Sequence, residues 1–239
     1  LATVTHDVRS PLTSLRGRLD LVRTRIDGGS DLDPLWIGRQ LDAARNSAER
    51  ISATLEEMTD VAQLWVGQRL VLHREEIDLT ELAREAAANE AERWLADGGT
   101  APSTDITVEA PRPVTVAGDR RRLARVIENL VGNALKYGNG HAVRIRLEDH
   151  HGEAILEVED TGIGIPASEI PHIFTRFYRA TTARGVAGTG IGLAGSKAIV
   201  EQHGGTVTLH SVEGRGTTVR VTLPRASYDG RSQARPEDR

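Results

Sequence analysis

Three glycine-rich clusters punctuate the second half of the sequence: DTGIGIP at 160–166, GTGIGL at 188–193 and EGRGTT at 213–218. Each stands where a strand or helix pattern begins or ends. One such turn signals little, because glycine serves any tight bend. Several in succession point to a common ligand. The second cluster opens a helical pattern, where free N–H groups and the helix dipole favour phosphate. It is not a Walker A loop, because no GK[ST] follows, and not a dinucleotide fingerprint, because its helix follows a loop rather than a strand. Upstream, ENLVGNALKY at 128–137 reads as helix. Asn129, Asn133 and Lys136 fall at i, i+4 and i+7, on one face. Two carboxamide oxygens can ligate a hard cation, and Lys136 can balance phosphate charge. The ordinary alternative is a solvated polar stripe. Asp160 closes a strand pattern just before a glycine turn. Its carboxylate can accept the exocyclic amine of adenine, where guanine carries an oxygen. An Asx-turn is the alternative there.

The elements that position these residues can be read from periodicity. Val4, Val8, Leu12, Leu15, Leu19, Val22 and Ile26 recur every three or four residues, a coiled-coil-like stripe. Pro11 inside it predicts a kink. IDGGSDLDP at 26–34 reads as a stop, a loop and a new start. A second stripe runs through Leu41, Ala44, Ala48, Ile51, Leu55, Met58, Ala62 and Trp65. Two such helices form an antiparallel hairpin, and neither fully covers the other's stripe. A second copy, completing a four-helix bundle, resolves this. Near residue 67 the texture changes. Strands are expected at 68–78, 106–110, 114–118, 141–149 and 153–160, and in TVTLHSV and TTVRVTL around a Gly214–Gly216 turn. Helices are expected from Asp78 to about Leu95, capped by Asp78 or Thr80, from Asp119 to about Tyr137, near 167–174, and from about 190 to 203. Residues 179–189 read as a mobile loop, and those from Pro224 to Arg239 as a disordered tail.

Composition sets the outer limits. The chain has 239 residues, 30 Lys and Arg against 34 Asp and Glu, and a net charge of −4. That balance argues against nucleic acid as a partner. The run DRRRLAR at 119–125 then reads as the solvated face of a helix. There is no cysteine, which excludes disulfides, Fe–S clusters and cysteine-ligated zinc. Only three Trp, three Tyr and two Phe are present, too few for a base-stacking platform. No apolar run is long enough to span a bilayer. The chain opens on Leu1 within a helical pattern, so it is read as a piece of a longer protein.

The clusters, in this order, resemble the N, G1, F, G2 and G3 boxes of the histidine kinase ATP-binding domain, the Bergerat fold shared with DNA gyrase. The F box corresponds to IFTRFYR at 173–179, and THDVRSPLTSL at 5–15 resembles the H box of the dimerisation and phosphotransfer domain. The resemblance covers residues 1–223. It implies an α+β two-domain chain. Residues 1–66 would be a helical hairpin forming a dimeric four-helix bundle. Residues 67–223 would be an α/β sandwich that binds ATP, and 224–239 a tail. His6 would be the phosphoacceptor, with Asp7 orienting its imidazole and taking up its proton. Asn129 and Asn133 would hold Mg²⁺. Lys136 and Tyr137 would line the phosphate and ribose side. Asp160 would read adenine, with Gly162 and Gly164 permitting close backbone approach and Thr217 nearby. Gly188, Gly190 and Gly192 would shape the hinge of a lid. Either Arg176 or Arg179 would meet the γ-phosphate. The implied activity is autophosphorylation followed by transfer to an Asp of a response-regulator receiver domain, within a homodimer under an upstream sensor. The piece would be cytoplasmic, its parent open to membrane anchoring.

The residues themselves agree with this. His6 lies off the apolar stripe, with Arg9 and Ser10 on its side of the helix. Asp7 can bond one ring nitrogen and leave the other as nucleophile. The chain departs from the family at two places. Ser10 stands where Thr or Asn is usual and supports phosphatase activity. Gly195–Ser196 stands where two apolar residues are usual, at a cost in helix propensity. The alternatives are a serine kinase of the anti-sigma type, which would lack the hairpin, and a phosphatase-biased or silent dimeric scaffold.

Overall fold

A computed structural model describes residues 2–28, 33–65, 71–96, 106–138, 142–183, 185–186 and 188–225. Two helices open the chain, α1 (Ala2–Asp27) and α2 (Pro34–Trp65), packed against each other as a hairpin. Helix α1 continues through Pro11. Asp33 Oδ1 accepts the N–H of Leu35 at 3.0 Å and starts α2. Across the hairpin, Arg18 donates to Gln40 Oε1 at 3.2 Å and the Arg25 guanidinium lies 4.6 Å from the Trp36 ring centre.

The remainder is an α+β layer structure. Its elements are β1 (Glu75–Asp78), α3 (Leu79–Ala96), β2 (Thr107–Glu109), β3 (Thr115–Gly118), α4 (Arg120–Tyr137), β4 (Val143–His150), β5 (Glu153–Asp160), α5 (Gly192–Gln202), β6 (Thr206–Val212) and β7 (Gly216–Pro224). The main sheet runs β2-β4-β5-β7-β6, with β2 parallel to β4 and every other pair antiparallel. A separate antiparallel pair joins β1 to β3. Alternation along the strands sends Val143, Ile145, Leu147, Leu156, Val158, Val219 and Val221 to one face. Against that face α4 packs Leu123, Val126, Ile127, Leu130, Val131 and Leu135, all buried. Each such side chain contributes about 1.5–3 kcal/mol. The other face carries charge ladders, with Arg220 on Glu157 at 2.7 Å and Arg144 on Glu159 at 3.3 Å.

Several expectations are corrected. The strand expected at 68–78 is paired only over Glu75–Asp78, because its partner β3 offers four positions; residues 66–70 lie outside the described part. The helix expected near 167–174 is a single 3₁₀ turn, Ile170–His172. Pro171 sits within it and removes a donor that an α-helix would need. Strand β7 takes in Pro224, and Arg225 pairs with Val116 and bonds Asp149. Order therefore extends past the point where a tail was expected, and residues 226–239 lie outside the described part. Of the two caps proposed for α3, Asp78 is the one used: its Oδ1 accepts from the N–H groups of Thr80 and Glu81 at 2.9 and 3.1 Å.

Candidate functional site

Helix α4 is fixed at its start by a cap that also ties it to α5. Asp119 accepts the N–H of Arg122 at 3.2 Å and of His73 at 3.1 Å. Burial pushes this carboxyl up, but those two N–H groups and the Arg122 charge outweigh it and hold it below the ordinary value. The Asp119 N–H donates in turn to His203 Nε2 at 3.0 Å, while His203 Nδ1 bonds the Ile199 carbonyl at 2.8 Å. The ring is therefore neutral with its proton on Nδ1. Burial lowers its pKa. Sequence reasoning passed over His203; it joins the two helices that carry the proposed phosphate-side residues.

Between α4, the sheet end and the 163–193 segment lies a cleft of about 290 Å³, near the lower end for ligand pockets. Asn129, Asn133, Lys136 and Tyr137 line it from α4, Asp160 and Thr217 from the sheet, and Gly164, Arg179, Gly188, Gly190 and Gly192 from the opposite wall. Leu130, Ala134, Val158, Ile163, Ile173, Leu209 and Val219 give it an apolar interior. Gly162 stands just behind, donating its N–H to Asp160 Oδ1 at 2.9 Å. Arg176 is not part of the lining. His6, Asp7, Arg9 and Ser10 lie on α1, and their side chains are outside the described part.

Asp160 is 8% exposed. Burial raises its pKa, the N–H groups of Gly162 and Thr217 pull it back, and Glu159 adds to the rise. The glycines beside it answer first to the protein's own backbone. A Cβ on Gly162 would stand 2.0 Å from the Tyr137 carbonyl oxygen, and one on Gly164, at φ +63°, 2.1 Å from that of Val212. The turn is thus clamped between the end of α4 and β6. Ser211, which nothing in the sequence marks out, accepts the Ile165 N–H at 2.9 Å and donates to the Gly216 carbonyl at 2.8 Å.

On the opposite side, Arg179 donates to the carbonyls of Ala183, at 2.8 Å, and Val186. It also bonds the Tyr137 phenol, whose pKa burial raises and Arg179 lowers. Glu169 accepts from the N–H and hydroxyl of Thr181 at 2.8 and 2.6 Å, fixing the start of the same loop. Lys136 lies 5.4 Å from the Tyr137 ring centre. The cleft thus has an apolar lining with one buried carboxylate, and Lys136 and Arg179 stand among its lining residues.

The family described as histidine kinase-, DNA gyrase B- and HSP90-like ATPase matches residues 118–227. The sensor histidine kinase WalK of Bacillus subtilis is 31% identical over 231 residues, 94% of this chain and 36% of that protein. WalK of Staphylococcus aureus is 30% identical over 232 residues, with the same shares. The mycobacterial sensor histidine kinase MprB is 30% identical with a TM-score of 0.54, over 63% of this chain and 97% of that one. The Acinetobacter baumannii histidine kinase AdeS, 24% identical with a TM-score of 0.60, shares the fold over 92% of this chain and 98% of its own. The chain belongs to the sensor histidine kinase family. It spans 36% of the length of the WalK relatives.

Proposed function

We propose that this chain is the catalytic core of an ATP-dependent protein histidine kinase of a two-component system. The observation that carries this reading is the buried Asp160 carboxylate in a cleft whose α4 wall bears Asn129, Asn133 and Lys136. Asp160 accepts the adenine amine beside Thr217, and the apolar slot takes the ring. Gly188, Gly190 and Gly192 shape the lid hinge. Lys136 and Arg179 face the polyphosphate, with Tyr137 beside them. Arg179 rather than Arg176 is favoured for the γ-phosphate by its place in the lining.

The donor set suits Mg²⁺ held together with a nucleotide. Asn129 and Asn133 offer neutral hard oxygens, and among the described residues no group of three or more His, Asp or Glu side chains is placed to hold a metal ion. Two carboxamides alone hold such an ion weakly, so phosphate oxygens and water must complete its shell. When bound, Mg²⁺ neutralises charge building on the phosphates.

The reaction is transfer between domains. A ring nitrogen of His6 attacks the γ-phosphorus, the bond to the β–γ bridging oxygen breaks, and ADP leaves. Asp7 orients the ring and takes up its proton, and Arg9 and Ser10 follow His6 at the i+3 and i+4 spacing. The phosphoryl group then passes to an aspartate of a response-regulator receiver domain. With His6 in a hairpin of residues 1–66 and ATP in a domain of 67–223, motion about their junction gates the step.

The hairpin is proposed to dimerise into a four-helix bundle. Its stripe residues Leu12, Leu19 and Ile26 are 52%, 48% and 53% exposed, and Leu41 and Leu55 are 50% and 51% exposed. Apolar surface on that scale calls for a partner, and a second copy supplies the matching stripe. A sensor segment upstream is proposed to drive the motion. Among the described residues no helix is long and apolar enough to cross a membrane; the chain is proposed as a cytoplasmic portion of its parent.

Incubation with Mg-ATP should place acid-labile, base-stable phosphate on His6. Wild-type protein that labels no better than His6→Ala would overturn the kinase reading and leave a silent scaffold.

A further inference from the structure

Ser196 stands in α5 where the family pattern has an apolar residue. Serine is the poorer helix former, and here it is buried, 4% exposed. A buried hydroxyl destabilises unless it is hydrogen-bonded. Its partner is across the helix interface: Asn129 Nδ2 donates to Ser196 Oγ at 2.9 Å.

A carboxamide has two ends of similar size and opposite character. Only the oxygen can ligate a cation; the nitrogen presents N–H bonds that a cation repels. With Nδ2 turned to Ser196, Asn129 Oδ1 points the other way. It lies 3.5 Å from Asn133 Nδ2. It also lies against the first residue of α5, where a Cβ on Gly192 would stand only 2.1 Å from it. Asn129, Asn133 and Gly192 all border the cleft.

We infer that Ser196 is a positioning residue for the cation site: it holds the Asn129 carboxamide with its nitrogen on Ser196 and its oxygen toward Asn133 and Gly192, which border the cleft. This rests on the nucleotide and Mg²⁺ reading above. An aliphatic side chain at 196 fills similar space but leaves the amide without this anchor, free to turn its nitrogen into the site. Ser196 does not border the cleft, so its removal alters the metal dependence of binding rather than recognition of the base.

The test uses the full chain with Ser196→Ala, Ser196→Val and Ser196→Thr, and two readouts. The first needs no nucleotide. The Asn129 side-chain NH₂ signals, assigned through their loss in Asn129→Asp, should exchange slowly with water in the wild type and in Ser196→Thr, and faster in the other two. The second is ATP affinity with Mg²⁺ and with EDTA. Loss of one hydrogen bond should weaken Mg²⁺-supported binding about fivefold in Ser196→Ala and Ser196→Val, with EDTA affinity within about twofold and Ser196→Thr close to wild type. Equal losses with and without Mg²⁺ would make Ser196 merely structural and overturn the inference. Unchanged amide exchange in Ser196→Ala would overturn the contact itself. Wild-type protein that binds no ATP under either condition would overturn the nucleotide reading, and this role with it, while the exchange measurement would still report on the contact.

Discussion

Asp160 and Thr217 stand directly opposite each other on β5 and β7. The cross-strand register places the last residue of one glycine cluster's strand beside a threonine of another, far along the chain. Ser211 completes the arrangement. It has one proton, given to the Gly216 carbonyl at 2.8 Å, so its 2.9 Å contact with Thr217 Oγ1 must use the threonine's proton. Thr217 is left with lone pairs. Two acceptors, the buried Asp160 and the half-buried Thr217, therefore stand side by side in the cleft lining, which matches an amine-bearing base better than one with an oxygen there.

Asp160→Asn tests that match. The variant should lose ATP affinity by roughly tenfold or more, the scale of a charge-assisted bond replaced by a mismatched amide. Its stability should move the other way. Burial raises the folded-state pKa of Asp160 above the ordinary value of 3.8. The stabilising contribution of such a group is full below the unfolded pKa and is lost as pH rises through the folded one. At pH 7 the native carboxylate is thus a burden that Asn removes. Thermal melts at pH 7 should put the variant at or above wild type, while addition of ATP should raise the melting temperature of wild type more than that of the variant. An equal ATP-induced shift in both proteins would refute the assignment.

His203 gives the opposite sign. Its folded-state pKa lies below the ordinary value of 6.5, chiefly through burial. Its contribution is present above the unfolded pKa and is lost as pH falls through the folded one, because the unfolded chain takes up the proton first. Urea midpoints should therefore fall between pH 7 and pH 5. His203→Leu should flatten this part of the profile and cost about 1–3 kcal/mol at pH 7, since the Asp119 N–H loses its acceptor in a buried site. A profile with the same slope in both proteins would assign the pH dependence elsewhere.

Much of this fold was legible because its signals are local. The β4–β5 hairpin follows from alternation, α4 from its Asp119 cap, and the cleft from glycine clusters at element ends. The failures share a cause as well. Apolar residues near 167–174 carry a helical spacing that Pro171 vetoes. Ser211 looks like any outward position of an alternating strand, and its value comes from contacts with the 163–165 turn and the start of β7. Ser196 registered only as a poor helix former. Hydrogen bonds made across elements leave no periodic trace, so residues that position others escape a reading based on spacing.

The two arginines of the F-box stretch should separate cleanly. Arg179 holds the carbonyls of Ala183 and Val186 and the Tyr137 phenol, whereas Arg176 does not line the cleft. Arg179→Ala removes several hydrogen bonds from a charged donor, so amide hydrogen exchange across 181–190 should accelerate. Nucleotide affinity should fall by roughly tenfold, while Arg176→Ala should show neither effect. If Arg176→Ala loses affinity and Arg179→Ala does not, the γ-phosphate role belongs to Arg176.

Charge placed on the hairpin stripe should dissociate the proposed dimer without touching the cleft. Leu12 and Leu19 lie two helical turns apart on α1, each about half exposed in the single chain. In a bundle they would be enclosed, and burying an unpaired carboxylate costs several kcal/mol after relaxation. Leu12→Glu with Leu19→Glu should therefore shift the mass seen by light scattering at micromolar concentration from two chains to one. ATP affinity should stay within about twofold, because neither residue borders the cleft. Labelling of His6 should then separate the two functions of the hairpin. A monomer that still labels would phosphorylate within one chain, and one that binds ATP but fails to label would need its partner's domain. Wild-type protein that is already monomeric at that concentration would refute dimerisation through residues 1–66.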